Sequence, residues 1–124
     1  PKLKEVLQLM EANLEEPITL QELADYVSLS RRQLERLFLK HLHSTPSRYY
    51  LKLRLDRARR LLKQTSRSIV EITSMCGFVS TTHFSRCYRK YMGVSPKSDR
   101  IQGETQIVKI FESELPSEEA ELLN

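Results

Sequence analysis

Glycine is scarce here, with three in 124 residues, and tryptophan is absent. So little glycine argues against turn-rich β architectures and against a phosphate-cradling glycine loop. There is no apolar run approaching about eighteen residues, so nothing reads as a membrane-spanning helix, and no signal-peptide core is visible near the start. The two cysteines, Cys76 and Cys87, sit inside helix-like segments of a leucine-rich chain. They read as small core residues in a reducing, cytoplasmic setting, not as a disulfide framework. Paired carboxylates, an oriented Cys/His pair and metal clusters are all missing, so the sequence asks for neither an enzyme nor a cofactor. His83 is left without a Cys or His partner at ligand spacing, and no metal is expected.

What is present is basic charge, unevenly spread. Residues 1–100 carry nineteen Lys/Arg against ten Asp/Glu, or +9, whereas residues 101–124 carry one against six, or −5. Within 31–67 there are twelve basic and two acidic side chains, a +10 block in 37 residues. That exceeds what solubility requires and points to an anionic partner, nucleic acid first and an acidic membrane surface second. The chain opens on Pro1 and not on Met, which suits a piece of a longer polypeptide.

Leucine recurs every three or four residues and β-branched runs are short, so the fold class is all-α. Helix starts are marked by Thr19 with Glu22, Ser30 with Gln33 and Ser68 with Glu71, each a capping-box pattern. Thr45–Pro46 and Ser95–Pro96 read as an N-cap followed by proline at the first helical position. These marks predict seven helices, over 3–14, 20–27, 31–42, 46–64, 69–76, 81–92 and 96–101. They also repeat: Thr19/Glu22 maps onto Ser68/Glu71 at an offset of 49, and Ser30, Leu34, Phe38 and Pro46 map onto Ser80, Phe84, Tyr88 and Pro96 at an offset of 50. The extra residue is expected in the turn of the second copy, around Gly77.

Four parts follow: a helix-turn-helix subdomain over 1–45, a linking helix over 46–65, a second subdomain over 66–100, and an acidic extension of unknown role over 101–124. The linking helix spans roughly 28 Å at about 1.5 Å per residue. Leu51, Leu55, Ala58, Leu61 and Leu62 line one side, Tyr50 and Leu53 a second. Arg54, Arg57, Arg59, Arg60 and Lys63 are left as its solvated surface, a minority of them reaching phosphate. In the first unit Leu23, Val27, Leu29, Leu34 and Leu37 suit two short helices crossing steeply, Ala24 permitting close approach and Ser28 standing where glycine is common. Units about 28 Å apart suit successive major grooves, whose repeat is about 34 Å.

The segments LADYVSLSRRQLERLF, STPSRYY, LRLDRARRLL and above all GFVSTTHFSRCYRKYMGVSP carry a resemblance to the DNA-binding domain of the AraC/XylS family of bacterial transcription regulators, over residues 5–100. The resemblance implies a seven-helix bundle of two helix-turn-helix subdomains joined by a long helix, binding double-stranded DNA in successive major grooves. It also implies activation through RNA polymerase and an N-terminal sensor domain on the same polypeptide, outside this chain. The HFSRCYR wording is similar to members whose sensor resembles class I glutamine amidotransferases or DJ-1/PfpI proteins.

On the family's base-facing positions stand Arg32, Glu35 and Arg36. Arginine pairs with guanine O6 and N7, and Glu35 either accepts from cytosine N4 or merely pairs with Arg31 or Arg32. The matching positions of the second unit are Thr81, Thr82, His83 and Arg86; Thr81 and Thr82 also fit as ordinary first-turn residues behind a Ser80 cap. Ser30, Arg31, Ser47, Arg48 and Ser80 lie at helix starts, where backbone N–H groups favour anions, and are candidates for phosphate contacts. The competing reading is a helical protein-interaction module whose basic face binds an acidic protein.

Overall fold

The computed structural model describes residues 1–102 and Lys109. Its helices are α1 (Lys2–Ala12), α2 (Leu20–Tyr26), α3 (Arg31–Leu42), α4 (Pro46–Gln64), α5 (Ile69–Met75) and α6 (Thr81–Met92), with α7 over 96–102. The all-α class and the seven helices are as the sequence predicts, and no strand occurs among the described residues. Most of the acidic extension lies outside those residues.

Helix starts fall where the capping chemistry puts them. Ser30 and Ser68 form full boxes, each hydroxyl accepting from the third-residue N–H while Gln33 or Glu71 reaches back to the cap. At Thr19 the expected box is only half made: its hydroxyl accepts from the Glu22 N–H, but the Glu22 carboxylate takes the hydroxyl proton at 3.0 Å and not the cap N–H. Thr45 and Ser95 cap α4 and α7 as expected, accepting from Arg48 and Ser98. The first helix ends two residues early because Asn13 leaves helical geometry (φ −132°) and its amide donates back to the Leu9 carbonyl at 2.8 Å.

Both turns use the same device. Ser28 (φ +57°) and Gly77 (φ +81°) are left-handed, and the next N–H donates to the small residue five back, Leu29 to Ala24 at 2.9 Å and Phe78 to Thr73 at 3.0 Å. The two turns are therefore alike, and the extra residue sits after them: it is Val79, between Phe78 and the Ser80 cap, 99% exposed.

Two apolar cores flank α4. The first gathers Val6, Met10, Leu14, Leu23, Ala24, Val27, Leu34, Phe38 and Tyr50. The second gathers Leu55, Ala58, Leu62, Ile72, Cys76, Phe78, Phe84 and Tyr88. The linking helix thus serves both units from different sides. Tyr50 adds polar stitching: its hydroxyl donates to the Asn13 carbonyl and accepts from the Ile18 N–H, holding the α1–α2 connection.

One expectation fails on α4. Arg54 is not solvated surface. Its guanidinium donates to the Cys76 carbonyl at 2.9 Å and the Gly77 carbonyl at 2.7 Å, and lies 4.1 Å over the Phe78 ring. Carbonyls freed by the end of α5 and the left-handed turn need donors, and a long cationic side chain on the packed helix supplies them. Arg59 and Lys63 are likewise engaged, at 3.6 and 3.5 Å from the buried Asp99 carboxylate, which also accepts from the Tyr88 hydroxyl. Burial, then the Asp99 carboxylate, pushes the Tyr88 phenol well above its ordinary range. Arg100 closes α7 onto α4 by donating to the Leu62 carbonyl at 3.0 Å.

Cys76 is fully buried, and burial pushes its thiol up to about 11. Since the thiolate is the nucleophile, it will be scarce at pH 8. An alkylating reagent at that pH should modify Cys87 and spare Cys76 until the domain unfolds, which peptide mass mapping reads directly.

Candidate nucleic-acid interface

Repetition of one helical unit makes α3 and α6 equivalent, and it fixes which of their sides faces out. In α3, Leu34 and Phe38 are buried and turn the opposite side, Arg31, Arg32, Glu35 and Arg36, to solvent. Residues 32, 35 and 36 lie three and four apart, so they share one face. Among the described residues, none of these four makes an ion pair or side-chain hydrogen bond. Glu35 is therefore not paired with Arg31 or Arg32; the bland alternative for it is absent from the structure.

In α6, buried Phe84 and Tyr88 leave Thr82, His83 and Arg86 exposed, with Thr81 half-buried. Arg86 stands fifty residues beyond Arg36 and matches it in the repeat. Ser80 caps the helix, accepting from the His83 N–H at 3.1 Å. Ser30 does the same for Gln33 at 3.1 Å, so each hydroxyl already accepts from its own helix while its proton can be donated to a phosphate oxygen. Ser47 and Arg48 are exposed in the first turn of α4, where the N–H groups and the positive end of the helix dipole favour an anion.

His83 departs from the sequence reading. Its ring packs edge-on against Phe78 at 5.7 Å between centroids, and its Nε2 lies 3.5 Å from the Cys87 Sγ. A cysteine does stand at ligand spacing, four residues on along the same helix, and the i, i+4 rule was the signal that identifies it. For Arg54 no such signal exists, because its partners are backbone carbonyls 22 and 23 residues away.

The basic block is thereby sorted. Arg54 serves carbonyls, Arg59 and Lys63 serve Asp99, and Arg67 pairs with Glu71 at 3.2 Å. Charge left for an external anion comes chiefly from α3 and from the start and outer side of α4.

The fold has counterparts among known proteins. A family model described as a helix-turn-helix domain matches residues 23–102. A transcriptional regulator from Pseudomonas aeruginosa, GbdR, is 71% identical over 100 residues, covering 81% of this chain and 27% of the relative. The chain therefore spans about a quarter of that regulator's length. A crystal structure of a transcriptional regulator from Chromobacterium violaceum, described as AraC-type, superposes with a TM-score of 0.79 at 55% identity, covering 83% of this chain and 92% of that one. The DNA-binding domain of AdpA, solved in complex with a target DNA, superposes at 0.80 with 29% identity, covering 84% and 94%.

Proposed function

This chain belongs to the AraC-type helix-turn-helix domains, and from that premise we propose that it binds double-stranded DNA sequence-specifically as the DNA-reading part of a bacterial transcription regulator. The observation that carries this reading is the pair α3 and α6: equivalent helices, each presenting an exposed arginine, Arg36 or Arg86, with no partner among the described residues. An exposed side chain that can donate in a bidentate fork is what guanine recognition in a major groove requires.

In this reading residues 1–45 and 66–100 each dock one helix, and the linking helix, residues 46–65, sets their separation. Arg32, Glu35 and Arg36 read bases from α3; Thr81, Thr82, His83 and Arg86 read them from α6. Arg31, Ser47 and Arg48 hold phosphates, with Ser30 and Ser80 adding hydroxyl contacts. The longer polypeptide supplies an N-terminal sensor domain, of the class I glutamine amidotransferase-like or DJ-1/PfpI kind that HFSRCYR supports, and activates transcription through contact with RNA polymerase in the cytoplasm. The length of the relative leaves room for such a domain.

Selection of bound sites from random duplexes, followed by titration of Arg36→Ala, tests the reading. On the selected site the substitution should cost about 1–3 kcal/mol, and much less on random duplex. Equal losses on both would demote Arg36 to a phosphate contact, and no selection at all would favour an acidic protein partner instead.

A further inference from the structure

Four-residue spacing on a helix stacks side chains one above the other. In HFSRC it stacks an imidazole and a thiol: His83 Nε2 and Cys87 Sγ lie 3.5 Å apart on α6, His83 exposed and Cys87 half-buried beneath it. Without a metal this is a weak hydrogen bond. The same separation is the bite of a tetrahedral zinc ion. Bonds of about 2.3 Å to sulfur and about 2.0–2.1 Å to nitrogen, at a tetrahedral angle, put the two donors about 3.5 Å apart. The donor separation already matches that bite, and the Phe78 ring packs edge-on against the imidazole at 5.7 Å between centroids.

We propose that His83 and Cys87 form a two-ligand binding site for a thiophilic divalent cation of the zinc class on α6, at the edge of the second core. The thiol proton leaves to solvent on binding, and thiolate sulfur and imidazole nitrogen fill two positions. Water fills the others, because among the described residues no group of three or more His, Cys, Asp or Glu converges there. An exchangeable ion follows from so open a site, not a structural one. The Arg54 guanidinium interacts electrostatically with Cys87 and, as a cation, opposes the dication. Cys76, buried in the second core, is not the competing ligand. Binding of the metal occupies His83 Nε2, so the site shares a residue with the proposed groove-facing surface without depending on it.

Cadmium titration of the metal-free domain, followed by sulfur-to-metal charge-transfer absorption, is the test. The expected result is saturation at one ion per chain, reversed by zinc, abolished in Cys87→Ser and unchanged in Cys76→Ser. His83→Ala should weaken binding about tenfold or more, since loss of mere outer-shell partners already costs about 10–100-fold. Zinc should also raise the thermal midpoint of the parent domain and not of Cys87→Ser, by linkage of binding to folding. Far-UV circular dichroism checks that each variant keeps its helices. Titrations indistinguishable between His83→Ala and the parent would overturn the proposal, leaving a lone thiol. So would a band that survives in Cys87→Ser. The readout involves no DNA, so failure here leaves the DNA-binding reading standing.

Discussion

Raising salt from about 50 to about 200 mM should weaken duplex binding by roughly a thousandfold. Each phosphate neutralised by Lys or Arg releases condensed counterions, with a log–log slope of about −0.9 per contact, so about six contacts give that loss. Twelve basic side chains lie within 31–67. Four of them, Arg54, Arg59, Lys63 and Arg67, are engaged inside the fold, and the other eight make no ion pair or side-chain hydrogen bond among the described residues. Counting all twelve would overestimate the slope. Fluorescence anisotropy of a labelled duplex across a salt series measures it; a slope near zero would refute phosphate contact, and a slope near eleven would mean that the four engaged residues also reach DNA.

Gly77→Ala should destabilise the domain by about 2–5 kcal/mol. The left-handed conformation at φ +81° accounts for about 1–2 kcal/mol of this. The remainder is steric: an added Cβ would stand 2.5 Å from the Leu14 carbonyl oxygen and 2.7 Å from Pro17 Cγ. Overpacking against well-packed neighbours costs about 1–3 kcal/mol, and here one neighbour is backbone. Leu14 and Pro17 belong to the α1–α2 connection, so the clash is between the turn of the second unit and the body of the first. The domain carries its own control, because Gly93 is equally left-handed at φ +79° but has nothing within 4 Å of its Cβ position. Gly93→Ala should therefore lose only the conformational part. Equal losses in denaturant unfolding would show that the close approach is unimportant. A larger loss at Gly77 would make that glycine a determinant of how the two units are set against each other, and hence of the spacing between α3 and α6.

Helix positions were legible because the signals are local. A hydroxyl at an N-cap, a proline at the first helical position and leucines three and four apart act within a turn or two, so each start is encoded in four or five adjacent residues. The internal repeat was legible for the same reason. Other features were misread or missed: the half-made box at Thr19, the placement of the extra residue at Val79, the engagement of Arg54 by backbone carbonyls and the approach of Cys87 to His83. The first three depend on competing partners or on neighbours far along the chain. The last is an i, i+4 pair on one helix and is legible in the sequence, although His83 reads there as lacking a Cys or His partner at ligand spacing.

By itself, then, the sequence determined an all-α chain of two like helical units, an unusually basic middle, and which side of α3 and α6 carries polar residues. Periodicity and capping are sufficient for those, since they involve energies within single helices. Tertiary structure alone decided which cations are available, because a charge belongs to a partner only when folding brings the partner within a few ångströms. Arg54 and Arg36 are the same residue type in the same basic block. Packing of α4 against the second unit's turn committed one to the carbonyls of Cys76 and Gly77, and left the other facing outward.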